Sequence, residues 1–149
     1  MWIAGDVKEA RCRQCGSAFA AFTFSGDTDM ATMGLAAVSA GSRHLVLGEL
    51  RPEEMSTGEA GEEAFAKRAG DELGLECQSI RVTRYEGGGA ASGVSFAEFR
   101  ASYKPPHPVY ACRACGGDAI VVATSSPTEF MASGGAIDLL GNVAFADDH

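Results

Sequence analysis

The chain has 149 residues, of which 46% are hydrophobic, and this predicts one globular domain over residues 1–149. Its formal net charge of −8 disfavours binding to nucleic acid over a broad face, because phosphate contacts need an accumulation of Lys and Arg. No apolar stretch approaches the ~20 residues of a membrane helix, and the N-terminal residues contain acids and no apolar run, unlike a secretory signal. We therefore expect a cytoplasmic protein without a membrane partner.

Strands and turns are predicted for the first third of the chain. Alternating aromatic residues predict a strand at 18–25, and the run GDTD predicts a turn at 26–29. Further strands are predicted at 33–40 and 44–50. The alanine-rich residues 30–40 are also compatible with a helix.

The clearest helical signal lies at 51–74. Ser56 and Glu59 have the spacing of a capping box, and Gly74 is a natural end. One helix face repeats an apolar residue every fourth position: Phe65, Ala69 and Leu73. Two pairs of opposite charge have helical spacing: Glu63–Lys67 and Arg68–Glu72.

The later elements are predicted in this order: a strand at 78–86, a glycine-rich loop at 87–93, a strand at 94–104, an extended segment PPHP at 105–108 and a buried strand at 119–124. Phe96 and Phe99 would also suit a helical turn. Ser126 and Glu129 predict the start of a short helix, and the apolar residues 136–140 are expected to join the core. Together the elements predict an α+β fold in which an antiparallel sheet carries one principal helix.

Two matched thiol motifs lie near the two ends of the chain. We call CRQCG (12–16) the first knuckle and CRACG (112–116) the second knuckle. The Cys-x-x-Cys spacing lets both sulfurs of a knuckle face one ion, and four sulfur ligands select zinc, with iron as the main competitor. The predicted metal ligands are Cys12, Cys15, Cys112 and Cys115.

Four neighbouring residues are expected to support this metal site. Gly16 and Gly116 permit a positive φ, so that backbone N–H groups can point at the thiolates. Arg13 and Arg113 offset part of the thiolate charge, as does Arg11. Because four protein ligands leave no open position, the site is predicted to be structural. The ion would close a long insert, residues 16–111, between the knuckles.

Two other interpretations of the thiols remain open. Each knuckle could be an independent redox site, although such sites need the motif at a helix N-terminus and here each knuckle leads into a strand-like run. The cysteines could also be free or buried thiols without a shared function.

Two Cys-x-x-Cys-Gly knuckles that each lead into a strand resemble zinc ribbons. With the long β-rich insert, CRQCG and CRACGG resemble the Mss4-like group, which includes methionine sulfoxide reductase B, Yippee-like proteins and the ligand-binding domain of cereblon. The reductases carry a nucleophilic Cys after the second knuckle, and here no Cys follows Cys115. The cereblon-type domain holds its ligand in a Trp cage, and here Trp2 is the only Trp. The resemblance therefore assigns no catalytic residue.

The remaining chemically interesting residues are one cysteine and two histidines. Cys77 is expected to be a small buried hydrophobe. As a reactive thiol it would need a nearby base, for which His44 and His107 are the candidates. His107 could instead support the second knuckle or be exposed in a turn, and His44 is expected at a strand edge.

Charge is unevenly distributed along the chain. Residues 49–76 hold nine acids against three basic residues, which predicts a solvated helix face or a docking surface for a basic partner. The basic residues of the later elements could form a modest face: Arg81, Arg84, Arg100 and Lys104. If these cluster with the arginines of the knuckles, a nucleic-acid-binding zinc ribbon becomes the better interpretation.

The function that the sequence favours is a non-catalytic, zinc-stabilised module that binds a protein or a small ligand. One alternative is an Mss4-like enzyme or thiol-redox protein that uses Cys77 or a pocket in the insert. The other is a nucleic-acid-binding zinc ribbon. A pocket lined by Cys77 and a histidine would favour the enzyme, and a contiguous Arg/Lys face at the knuckles would favour nucleic acid.

Overall fold

The structure of the protein is a computed structural model that describes residues 2–24, 33–38, 42–55 and 59–146. The elements follow in the order β1 (Trp2–Ile3), β2 (Gly5–Cys12), β3 (Ala18–Phe24), β4 (Met33–Ala37), β5 (His44–Glu49), α1 (Pro52–Met55), α2 (Glu59–Leu73), β6 (Gln78–Ser79), β7 (Val82–Glu86), α3 (Phe96–Ser102), β8 (His107–Ala111), β9 (Asp118–Ser125), α4 (Pro127–Ala132), β10 (Ala136–Leu139) and β11 (Ala144–Phe145). The predicted turn at 26–29 and the predicted cap Ser56 lie outside the described residues.

The strands of the described chain form three sheets. A five-stranded antiparallel sheet has the order β3-β2-β9-β8-β7, and a four-stranded sheet has the order β10-β5-β4-β6, in which β10 pairs parallel to β5. The short strands β1 and β11 form a parallel pair. The predicted α+β class with a mostly antiparallel sheet is confirmed, although the strands are divided among three sheets rather than one.

The five-stranded sheet brings the two knuckles together. The first knuckle is the turn between β2 and β3, and the second is the turn between β8 and β9. Strand β2 pairs antiparallel with β9, and Cys12 at the end of β2 lies opposite Ala119 near the start of β9. Both turns therefore lie at the same end of the sheet.

Helix α2 packs against the four-stranded sheet through the apolar face that the sequence predicts. Phe65 and Ala69 are fully buried and belong to a core cluster with Val46 and Leu140, while Leu73 packs at its edge. The helix ends just before Gly74. Arg68 and Glu72 form the predicted pair at 3.8 Å, whereas Lys67 pairs with Asp71 rather than with Glu63.

Two predicted strands are wrong in part. Within the strand predicted at 94–104, Phe96–Ser102 form helix α3, and Ser95 caps it by accepting a hydrogen bond from the Glu98 backbone amide. The spacing of Phe96 and Phe99 was the helical signal. Residues 78–86 form two strands, β6 and β7, that belong to different sheets.

The other expectations for the second half hold with one change. The capping box of Ser126 and Glu129 starts α4, and residues 136–139 form β10 with Ile137 packed against the core. The strand predicted at 119–124 lies within β9, but only Ala119 of that range is buried and residues 122–124 are exposed. The alanine-rich residues 33–37 form a strand.

Candidate metal centre

The four knuckle cysteines converge on one point at the end of the five-stranded sheet. Their Sγ atoms all lie within 4.8 Å of one another. The closest approaches join the two knuckles: Cys12 Sγ is 3.5 Å from Cys115 Sγ, and Cys15 Sγ is 3.7 Å from Cys112 Sγ. In each knuckle the first cysteine is buried and the second is exposed. This group could hold a metal ion.

The distances fit a tetrahedral metal with four sulfur ligands. A Zn–S bond of about 2.3 Å implies Sγ···Sγ edges of roughly 3.8 Å in a regular tetrahedron. The observed 3.5 Å and 3.7 Å are close to that edge, and they are far longer than the ~2.05 Å of a disulfide bond. The donor set and its dimensions therefore fit zinc or iron, and they do not fit a hard cation that needs oxygen ligands.

The two knuckles have the same backbone hydrogen bonds. In the first, the Cys12 amide donates to the Ser17 carbonyl at 2.8 Å and the Gly16 amide donates to the Cys12 carbonyl at 3.1 Å. In the second, the Cys112 amide donates to the Gly117 carbonyl at 2.8 Å and the Gly116 amide donates to the Cys112 carbonyl at 2.9 Å. Gly16 and Gly116 have φ values of 76° and 79°, the left-handed conformation that glycine adopts without steric cost.

Backbone amides point at the sulfurs, as the sequence predicts for the turns. The amides of Gln14 and Cys15 lie 3.3 Å and 3.4 Å from Cys12 Sγ, and the Gly117 amide lies 3.4 Å from Cys115 Sγ. Such N–H donors stabilise the thiolate form of a cysteine. The Cys15 thiol also lies 3.1 Å from the Ser17 hydroxyl.

The hydrogen bonds and the crowding of the sulfurs move the thiol pKa values in opposite directions. Hydrogen bonds with the side chain and backbone of Ser17 lower the pKa of Cys15 to about 6. The Gly117 amide lowers the pKa of Cys115, but the thiols of Cys12 and Cys15 outweigh it and raise that pKa to about 12. Four sulfurs this close ionise together only when a cation shares their charge.

The knuckle arginines bind carboxylates of the insert. Arg13 makes two hydrogen bonds to Glu86 on β7, at 3.1 Å and 2.5 Å, and this contact contributes most to lowering the pKa of Glu86 to about 2. Arg113 lies 3.5 Å from Glu63 on α2. In the described chain both arginines tie the knuckles to the insert, and their guanidinium groups make no hydrogen bond to a sulfur.

These carboxylate partners could not be found from the sequence. Glu86 is 73 residues from Arg13, and Glu63 is 50 residues from Arg113, so no local spacing connects them. Ser17 was within reach of sequence reasoning, because a hydroxyl two residues after a cysteine can contact its sulfur.

The fifth cysteine lies apart from this site. Cys77 is half-buried at the edge of the α2 cluster, and burial, followed by the charge of Asp138, raises its pKa. His44 Nε2 lies 2.5 Å from Asp138 Oδ2. Burial and a nearby carboxylate both favour the neutral thiol, which is the opposite of what a nucleophile needs. His107 is exposed on β8.

Most basic residues near the knuckles are paired. Arg81 contacts Glu62 and Glu63, and Arg84 contacts Glu86 and Asp118. Within the described ranges, four Lys and Arg side chains have no carboxylate partner: Lys8, Arg11, Arg100 and Lys104. Arg13 and Arg113 are therefore neutralised while Arg11 is not, and a nucleic-acid role stays an untested prediction.

Comparisons with known proteins identify no relative. The chain matches no protein-family model, no curated protein and no solved structure. Among the helices of the described residues, none has both the length and the apolar character needed to cross a membrane. What can be concluded about the function therefore depends on the site itself.

Proposed function

We propose that the protein is a non-catalytic binding module whose fold is closed by one structural zinc ion on Cys12, Cys15, Cys112 and Cys115. The convergence of four sulfurs from two distant turns carries this proposal. The ion would join the β2–β3 turn to the β8–β9 turn and so fix β2 against β9. This arrangement resembles that of zinc ribbons, and the resemblance to the Mss4-like group remains a hypothesis.

A structural role is favoured over a catalytic or redox one by the surroundings of the sulfurs. Four protein ligands complete a tetrahedron and leave no position for water or substrate. Each knuckle lies in a turn between two strands, whereas reactive Cys-x-x-Cys pairs begin a helix. The reducing setting of the cytoplasm, which we expect for this protein, would keep these thiols available to a metal.

A binding role is favoured by apolar surface that the fold leaves exposed. We call residues 87–104 the aromatic arm. Gly89 and Lys104 exchange two backbone hydrogen bonds, at 2.9 Å and 2.8 Å, at its base. Helix α3 within it has no buried residue, and Phe96 is 75% exposed. Exposed aromatic clusters on folded proteins mark interaction surfaces.

Metal analysis of the purified protein tests the zinc proposal. We expect about one zinc per wild-type chain, purified under reducing conditions, and less than a tenth of that in Cys112→Ser. Cys77→Ser is the matched control, because Cys77 lies outside the cluster, and it should retain the metal. Iron in the place of zinc would change the cofactor but keep the site.

Two outcomes would contradict the proposal. The first is wild-type protein that contains no metal although it is folded and reduced. The second is Cys112→Ser that folds with wild-type stability and binds as much zinc as wild type. The first result would favour thiol redox chemistry of the knuckles, and the second would mean that the zinc binds elsewhere.

A further inference from the structure

A cleft of about 740 Å³ crosses the five-stranded sheet, away from the knuckle cysteines. It is lined by residues of all five strands and bounded by Pro105 and Pro106. Lys8 lies on β2, and Tyr85 lies on β7 at the edge of the sheet. Three inter-strand spacings of ~4.8 Å separate these two strands, a width of about 14 Å across the sheet. Its volume falls in the range of sites for small molecules.

The cleft contains one cation without a carboxylate partner. The Lys8 ammonium lies 3.3 Å from the Thr124 hydroxyl, and among the described residues it has no salt bridge. Glu62 also lines the cleft, and its carboxylate lies 3.6 Å from Arg81, which it shares with Glu63. Lys8 therefore offers an ammonium that no carboxylate of the described residues neutralises, although the chain carries −8. This favours an anionic group at Lys8.

Beyond Lys8 the cleft exposes apolar side chains, beside the polar residues Thr23, Glu62 and His107. Val122 on β9 is 56% exposed, Tyr85 is 62% exposed, and Val82 is also exposed. These side chains line the cleft together and have no cover within the described part of the chain. An apolar group that covered them would gain roughly 25 cal/mol for each Å² removed from water.

We propose that this cleft binds an elongated small organic acid, with its carboxylate on Lys8 and its apolar body across Val122 toward Val82 and Tyr85. The inference deepens the proposed function, because it names a site and a ligand class for the binding module. A medium-chain alkyl carboxylate would cover most of the width of about 14 Å between β2 and β7, and a fused-ring aromatic carboxylate would cover the part nearer Lys8.

The test uses the zinc-quantified full chain and four defined probes. Decanoate and 2-naphthoate represent the two kinds of apolar body, decylamine reverses the charge, and acetate lacks the body. We expect decanoate or 2-naphthoate to cause saturable amide chemical-shift changes in ¹H–¹⁵N spectra, centred on β7, β8 and β9. Acetate and decylamine should cause none at the same concentrations. The stronger of the two acids then identifies the ligand body.

Substitutions assign the binding to the cleft. Lys8→Met keeps the apolar stem and should weaken decanoate binding about three- to five-fold, the effect of a partly exposed ion pair. Val122→Asp should weaken it further, because it places a carboxylate on the apolar floor. Lys67→Met on α2 is the matched control and should bind as wild type does, because Lys67 lies outside the cleft.

The proposal is overturned if neither acid causes saturable shifts, if decylamine binds as well as decanoate, or if Lys8→Met and Lys67→Met bind alike. Zinc content separates this result from the metal proposal. One zinc per chain without a response to either acid overturns the cleft alone. A saturable response in folded protein without metal overturns the zinc proposal alone.

Discussion

The two knuckles and the aromatic arm each connect strands of the same five-stranded sheet. They differ in whether their polar groups have partners within the protein. At the knuckles, backbone amides reach the sulfurs, and the arginines bind Glu86 and Glu63. In the arm, Arg100 and Lys104 have no carboxylate partner among the described residues, and α3 buries no side chain. The polar groups of the knuckles therefore have many internal contacts, and those of the aromatic arm have few.

This difference separates the part of the chain that stabilises the fold from the part that is available for binding. Removal of a sulfur ligand from such a site leaves the remaining ligands and their hydrogen-bond donors without a partner, which costs stability. An exposed aromatic helix loses little stability on substitution, because it has few internal contacts to lose. The effect of a change on stability should therefore fall from the metal site to the aromatic arm.

Removal of the metal should have the largest effect. A high-affinity zinc chelator under reducing conditions should lower the free energy of unfolding by an amount on the order of 10 kcal/mol, which is enough to unfold a domain of this size. Circular dichroism and urea denaturation before and after chelation measure the effect. Zinc added back should restore the sheet. A wild-type chain that keeps its denaturation midpoint after complete metal removal would contradict a structural role.

The buried ion pair of Glu54 and Arg68 lies in the insert and allows the same comparison between internally paired and exposed groups. The Arg68 guanidinium donates to both Glu54 oxygens, at 2.9 Å and 3.0 Å, and joins α1 to α2. Glu54 is 5% exposed, so Glu54→Gln should lower the free energy of unfolding by about 2 kcal/mol at pH 7. The exposed pair of Lys67 and Asp71 is the control. Asp71→Asn should change the free energy of unfolding by less than about 0.5 kcal/mol.

The difference in the free energy of unfolding between wild type and Glu54→Gln should depend on pH in a defined direction. The hydrogen bonds from Arg68 hold the pKa of Glu54 below its ordinary value. A carboxylate whose folded-state pKa is lowered stabilises the fold fully above its unfolded-state pKa, about 4.3 for a glutamate, and loses this contribution as the pH falls through the folded-state value. The gap between wild type and Glu54→Gln should therefore be constant from pH 8 to pH 5 and shrink in more acidic solution. A gap that grows on acidification would contradict the pairing.

The left-handed glycines of the knuckles should give a smaller effect. A Cβ added at Gly116 would have no heavy atom within 4 Å, so only the backbone conformation opposes Gly116→Ala. Its φ of 79° should make that substitution cost about 1 kcal/mol. Asn tolerates this conformation better than Ala, so Gly116→Asn should recover part of the loss. Equal stability of wild type and Gly116→Ala in urea denaturation would show that the turn can relax.

The sequence was a good guide to the site because the knuckles are local. Cys-x-x-Cys-Gly fixes the turn, and both φ values and the N–H···S contacts follow from residues within a few positions. The fold class was also predictable, since the apolar face of α2 and the alternation in β3 are local periodic patterns. The meeting of the two knuckles depends on the pairing of β2 with β9, for which the matched motifs were the only clue.

Long-range features were not predictable in the same way. The contacts of Arg13 and Arg113 join residues far apart in the chain, and the cleft combines side chains from five strands. The aromatic residues of helix α3 favour a strand, whereas the spacing of Ser95 and Glu98, which form the helix cap, favours a helix. The wrong strand prediction matters, because α3 presents the most exposed aromatic side chain among the described residues.

Substitution of Phe96 should have the smallest effect on stability. Phe96→Ala removes a ring that is 75% exposed, so the free energy of unfolding should change by less than about 0.5 kcal/mol. Phe65→Ala is the matched control in α2. Its ring is fully buried, and its loss should cost about 3–5 kcal/mol. Urea denaturation of both variants measures the contrast directly. A loss above 1 kcal/mol in Phe96→Ala would mean that the arm contributes to folding, and the exposure of its aromatic residues would then need no binding partner as its explanation.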